Sequence, residues 1–186
     1  MLFAEVRLPD IPFPQVMLGL FAIVGIGLVL HLLFVLATRK TQPAIRRKNI
    51  AIRGLYVLFL IVVATLAVTS FGSILKVGHM SGWALIGHTV VAGAFVFLLL
   101  AMSAYLPRGG NCEETSDRWW LARWSAWSLM LSSLVAAAVM FSAMLPILDT
   151  SRLQLAMEIH RYAGLLVVTT AVVHAYSLLC TRCGWR

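Results

Sequence analysis

Two histidines lie fourteen residues apart in one of the most apolar stretches of the chain. They are His160 and His174, in the stretch EIHRYAGLLVVTTAVVHAY at residues 158–176. Fourteen residues turn a helix through about 1400°, about 40° short of four full turns, and advance it by about 21 Å. In a helix, both imidazoles would therefore lie on one face, near opposite ends. Because imidazole is a common ligand of metals and of haem iron, this spacing predicts one ligand for each of two sites.

The composition indicates that the elements holding these histidines lie in a lipid bilayer. Of the 186 residues, 61% are hydrophobic and 12% are charged, which is too apolar for a soluble domain of this size. Helices satisfy their backbone hydrogen bonds internally, and nothing alternates with the two-residue period of a barrel strand. The predicted fold is an all-α, polytopic membrane protein, with one domain over residues 1–186. Five apolar runs are long enough to cross the bilayer as helices, at about residues 15–37, 54–75, 82–105, 124–146 and 154–180.

The net charge is +8, and the positions of the lysines and arginines along the chain indicate the membrane topology. Six of the fifteen lysines and arginines lie between the first two predicted helices, and five more lie between the third and fourth helices or at the C-terminus. The positive-inside rule therefore predicts an N-terminus outside the cell and a C-terminus in the cytoplasm. We expect no nucleic-acid partner, although a patch for lipid headgroups or an acidic partner stays open.

Depth in the membrane sorts four of the five histidines into two pairs. His88 and His160 each lie about six residues after their predicted helix begins, and His31 and His174 about six residues before theirs ends. The first, third and fifth helices run in the same direction, so one pair shares an outer level and the other an inner level. Ionisable side chains inside a bilayer are rare and usually functional. One alternative is that each imidazole hydrogen-bonds to a neighbouring helix. We predict instead two bis-histidine haem sites in the bundle, His88 with His160 and His31 with His174.

Other residues near these two levels are weaker candidates for a part in haem binding. Met102 lies fourteen residues after His88 and is an alternative to His31 at the inner level, whereas His79 is expected at the surface between two helices. Small residues near the ligands would let a flat macrocycle approach the backbone, although they are also common in membrane-helix packing. These glycines are Gly25, Gly27, Gly87, Gly93 and Gly164. Haem propionates could pair with Arg161 at the outer level and with Arg39 or Lys40 at the inner level.

The cysteines indicate that the haems are not covalently attached. Cys180 and Cys183 form the motif CTRC, which is followed by Gly184 and not by the histidine of a c-type attachment sequence. Thiols at a cytoplasmic helix end are expected to stay reduced. One such motif, even with Cys112 on a nearby loop, is weak evidence for another metal site. We therefore expect two b-type haems. We also expect Thr150 or Ser151 to cap the last helix.

The stretch HRYAGLLVVTTAVVH resembles the last helix of the di-haem cytochrome b subunits of prokaryotic formate dehydrogenases and nickel–iron hydrogenases. GHTVVAGAFVFLLL is similar to the helix that supplies one outer ligand in that group. The resemblance carries over to His88, His160 and His174. In that group the inner histidine comes from the helix immediately before the outer-ligand helix. Here that helix, LYVLFLIVVATLAVTSFGSIL, contains no histidine, so His31 would have to substitute.

The resemblance implies a function in a prokaryotic cytoplasmic membrane. One haem would exchange electrons with the quinone pool and the other with a partner redox subunit. The chain has little room for an extramembrane domain, so we expect a membrane subunit that is not a complete enzyme alone. Candidate groups for quinone protons are Asp149, Glu158 and His79 outside, and Glu113, Glu114 and Asp117 inside.

Two other classes of protein stay open. A transporter or channel would use the histidines as a proton relay, and would favour polar or acidic side chains throughout the bundle. The apolar runs contain no Asp, Glu, Asn or Gln away from their ends. A structural anchor without a cofactor would leave the paired depths unexplained.

Overall fold

The computed structural model describes residues 12–38, 50–105 and 120–183, and it contains all five predicted helices. No strand is present in these three ranges. Each helix is long and apolar enough to cross a membrane, which confirms the prediction of an all-α polytopic protein. The helices are α1 Phe13–Thr38, α2 Ile50–Val77, α3 Gly82–Tyr105, α4 Trp120–Met144 and α5 Thr150–Cys183.

The bundle is built from two helical hairpins and one peripheral helix. The closest packing joins α4 to α5 and α2 to α3, whereas the two hairpins meet through fewer contacts, and α1 packs mainly against α5. Large apolar side chains such as Ile23, Val68 and Phe97 remain exposed around the bundle. In lipid this exposure carries no hydrophobic penalty, so the chain is a multi-pass membrane protein surrounded by the bilayer.

An apolar layer joins the two hairpins near the middle of the bundle. Phe59 of α2 stacks on Phe95 of α3, with ring centroids 5.6 Å apart. The remaining buried members of this cluster are Val62, Val63, Leu99, Leu129, Val167 and Ala171. His160 and His174 lie on either side of Val167 and Ala171 along α5, so the layer separates the levels of these two histidines.

The connection between α2 and α3 turns through two glycines with positive φ. Gly78 has a φ of 80° and Gly82 a φ of 55°, which are values that residues with a side chain rarely adopt. The Gly78 N–H donates to the Ile74 carbonyl at 2.9 Å and closes the last turn of α2. This short turn places His88 of α3 beside the C-terminal half of α2.

Asp149 caps the N-terminus of α5, so the prediction of Thr150 or Ser151 as the cap is wrong. Asp149 Oδ1 accepts hydrogen bonds from the Arg152 backbone N–H at 2.8 Å and from the Ser151 hydroxyl at 2.9 Å. A carboxylate accepts these bonds better than a hydroxyl and also suits the positive end of the helix dipole. The Arg152 N–H, followed by the Ser151 hydroxyl, holds the pKa of Asp149 below its usual value.

We expect Asp149→Ala to lower the thermal unfolding temperature of the detergent-solubilised protein, because the first turn of α5 loses its acceptor. Asp149→Asn is the matched control, since asparagine caps about as well as aspartate. A pKa that is lower in the folded state stabilises the protein above the unfolded value of about 3.9 and loses this effect as pH falls through the folded value. Only wild type should show this acid-dependent loss. Equal unfolding temperatures for wild type and Asp149→Ala would contradict the assignment.

Candidate functional site

The rings of His88 and His160 meet between α3 and α5. Their centroids are 6.4 Å apart and their planes stand at 88° to each other. Both side chains are half-buried. Since α3 and α5 are not among the helix pairs whose backbones pack closely, the two imidazoles face each other across the space between these helices. The structure therefore brings together the first of the two predicted pairs.

Hydrogen bonds fix the tautomer of both rings. His160 Nδ1 lies 3.1 Å from the carbonyl oxygen of Ala136, which can only accept, so Nδ1 carries the proton. His88 Nδ1 lies 3.2 Å from the hydroxyl of Thr69. That hydroxyl already donates to the Thr65 carbonyl at 2.8 Å, so it accepts from His88. Each Nε2 therefore has a lone pair, and an imidazole held through its other nitrogen is the usual arrangement of a metal-ligating histidine.

The separation of the two rings fits one metal ion between them. Metal–imidazole bonds are about 2.0 Å long. A five-membered ring with bonds of about 1.33 Å has its nitrogen about 1.13 Å from its centre. Two imidazoles in line on one iron therefore have centroids about 6.3 Å apart. The 6.4 Å between the ring centroids of His88 and His160 is close to this value, so their separation leaves room for one iron.

Open space lies next to the two histidines. A Cβ added at Gly87 or Gly164 would meet no atom within 4 Å, although both glycines are half-buried. Gly87 precedes His88, and Gly164 follows His160 by one turn, about 40° around the helix. The backbone is therefore open beside each histidine, although the other glycines of the described ranges show the same open space. By contrast, Gly25, Gly27 and Gly93 are exposed.

The surroundings of His174 differ from those of the first pair. Its Nδ1 lies 3.0 Å from the hydroxyl of Ser125, which is itself 3.2 Å from the Ala122 carbonyl. Among the described residues, Tyr56 of α2 has a ring in contact with it, with centroids 5.6 Å apart and planes at 78°. This separation is shorter than two imidazoles on one iron require. A phenol ligand would need a longer one, because its oxygen stands outside the ring.

His31 does not face His174. The exposed ring of His31 packs edge-on against Tyr176 at a centroid distance of 5.7 Å, and its Nδ1 lies 2.8 Å from the Tyr176 hydroxyl. Tyr176 follows His174 by two residues, which is about 200° around α5. His31 therefore lies on nearly the opposite side of α5, and the second predicted pair is not formed. Met102 is half-buried and packs against the apolar layer.

Several other predicted residues have roles of their own. Arg161 and Glu158 form an ion pair at 3.2 Å on the surface of α5. His79 is exposed between α2 and α3. Cys180 and Cys183 are free thiols, and no group of three metal-ligating side chains occurs in the described ranges. Further predicted residues lie outside those ranges, namely Arg39, Lys40, Cys112, Glu113, Glu114 and Asp117.

Sequence reasoning missed the side chains that hold the histidines. Thr69 and Ser125 are ordinary small polar residues of membrane helices, and only the packing shows that they accept hydrogen bonds from imidazoles. Tyr56 looks in the sequence like an aromatic residue near a membrane interface. Its hydroxyl is buried and has no hydrogen-bond partner within the described part of the chain, which ordinarily costs about 1–3 kcal/mol. The sequence signal for Tyr56 was its depth, since it lies thirteen residues before Thr69 on α2 and therefore near the level of His174.

Comparisons of the chain with known protein families, with curated proteins and with solved structures find no match. The function proposed for this chain therefore depends on the arrangement of its histidines.

Proposed function

We propose that this chain is a b-type cytochrome subunit in which His88 and His160 are the axial ligands of a non-covalent haem. The observation that carries this proposal is the facing pair of imidazoles at 6.4 Å, each held through Nδ1 by an acceptor on a neighbouring helix. Ionisable side chains inside a bilayer are rare and usually functional, and here two of them meet. Ligation of an iron porphyrin uses both Nε2 atoms and explains the pair.

The residues around the pair orient the ligands and enclose the site. The Thr69 hydroxyl and the Ala136 carbonyl fix the directions of the two rings and make each Nε2 more basic. The apolar layer of Phe59 and Phe95 excludes water on one side of the site. When bound, the haem supplies one-electron redox chemistry, whose potential depends on its ligands and its enclosure.

The proposed partners of the chain are a redox subunit and the quinone pool. Electrons would pass between a redox subunit bound at the membrane surface and the quinone pool, as the family resemblance implies. The family resemblance implies a prokaryotic cytoplasmic membrane, and the distribution of basic residues supports an N-terminus outside and a C-terminus in the cytoplasm. The chain would thus be one subunit of an oxidoreductase complex.

The packing does not favour a histidine proton relay. The levels of His160 and His174 are separated by the apolar layer, including the stacked rings of Phe59 and Phe95. A relay needs polar side chains or water between its members. The structure therefore supports the haem proposal over a transporter.

An absorption spectrum of the purified protein tests the proposal directly. Reduction with dithionite should produce the α band of a b-type haem, and pyridine extraction should release protohaem. A folded preparation from haem-sufficient cells that shows no Soret absorbance would contradict the proposal.

The hydrogen bond to His88 supplies a second test. We expect Thr69→Val to weaken haem binding about tenfold, because the His88 ring loses its hydroxyl partner on α2 and is oriented less firmly by the remaining hydrogen bond to the Leu66 backbone. Thr65→Val is the matched control, because Thr65 lies one turn away on α2 and its hydroxyl donates to the Ile61 carbonyl. Haem retention during dialysis against apomyoglobin measures the difference. Equal retention in the two variants would exclude this role for Thr69.

A further inference from the structure

The level of His174 is built differently from the level of His88 and His160. At the first level, two imidazoles face each other at the separation that one iron requires. At the second, His174 faces the phenol of Tyr56 at 5.6 Å, and His31 is bonded to Tyr176 on the other side of α5. No second imidazole is in place to complete a bis-histidine site.

Tyr56 lies where a second ligand for His174 would have to be. It belongs to α2, the helix immediately before the one that carries His88. It lies thirteen residues before Thr69, so a helical rise of about 20 Å separates it from the level of His88. This distance equals the spacing of the two histidine levels along α5. A single aromatic side chain thus contacts His174 at the level where a second imidazole would be needed.

The Tyr56 hydroxyl does not hold the ring in place. It is buried and has no hydrogen-bond partner among the described residues. The ring contributes through its volume and its edge contact with His174, while His174 itself is oriented by Ser125. Removal of the hydroxyl should therefore leave the arrangement intact, whereas replacement of the phenol by an imidazole would supply a nitrogen ligand.

We infer that this chain binds one haem, at the level of His88 and His160, and that Tyr56 prevents a second haem from binding at His174. This inference rests on the proposed function and restricts it. Electron exchange with both the quinone and the partner subunit is then confined to one level of the membrane. The chain does not form a two-haem path across the bilayer by itself.

The experiment measures protohaem per polypeptide, by pyridine haemochrome, in the purified full-length chain. Wild type and His174→Ala should each contain one haem. Tyr56→Phe is the matched control and should also contain one. Tyr56→His should gain a second haem, detected as a stoichiometry near two and a second reduction midpoint, and the double variant Tyr56→His, His174→Ala should return to one.

Each result has a separate meaning. Two haems in wild type, or loss of a haem from His174→Ala, would overturn the inference and leave the proposed cytochrome function intact. Absence of haem from folded wild type would instead overturn the proposed function. A folded Tyr56→His variant that stays at one haem would show that Tyr56 is not what excludes the second haem.

Discussion

His88→Ala and His160→Ala should each abolish the low-spin spectrum of a b-type haem, although the two residues are on different helices and 72 positions apart in the chain. In the proposed site each ring would supply one of two bonds to the iron, and the haem would not be attached covalently. Loss of one ligand leaves an iron held from one side, next to a cavity in an apolar bundle. We expect the α band at the b-type position to disappear from both variants, with any remaining haem in a high-spin form.

The controls for these variants are histidines outside the pair. His79→Ala removes an exposed histidine nine residues before His88, and His31→Ala removes one bonded to Tyr176 on another face of α5. Both should keep the wild-type spectrum. Retention of a normal low-spin spectrum by His88→Ala or His160→Ala, or its loss from His79→Ala, would rule out the ligand assignment.

Free imidazole should restore the spectrum of His160→Gly. The substitution removes the side chain but keeps the carbonyl of Ala136, which accepts the Nδ1–H of His160 in the wild type. An imidazole molecule in the cavity can donate to the same carbonyl and present its other nitrogen to the iron that His88 still holds. The variant is titrated with imidazole, and the recovery of the low-spin spectrum is recorded at each concentration.

Two comparisons separate ligation from general stabilisation of the helix. Glycine within a helix is less favourable than alanine by about 1 kcal/mol, so His31→Gly serves as the control for the backbone change. Toluene has a ring of similar size without a nitrogen and should not restore the spectrum. Equal recovery with toluene and imidazole would mean that filling the cavity, and not a bond to iron, is responsible.

The five helices could be predicted because the bilayer imposes a simple rule on the sequence. A spanning segment needs about 20 apolar residues and must satisfy its own backbone hydrogen bonds. The runs in this chain meet that rule, and only their ends moved by a few residues. The end of α4 at Met144 is one example, since Pro146 disfavours helical geometry in the residue before it.

The depth of each histidine was equally accessible from the sequence, since depth depends only on residue count along a helix. This count paired His88 with His160, and the structure brings their rings together. It also placed His31 at the depth of His174. The structure brings His31 to Tyr176 instead, on another side of the same helix.

The direction in which each helix turns its side chains was decided only by the tertiary structure. A helix in water shows its buried face as an apolar stripe, but α1 and α2 are apolar around almost their whole circumference. Such a sequence does not distinguish the face toward lipid from the face toward the bundle. The packing of α1 against α5 turned His31 away from His174, and the packing of α2 turned Tyr56 toward it. The number of helices and the depth of their polar residues thus came from the sequence, and rotation about each helix axis came from contacts between helices.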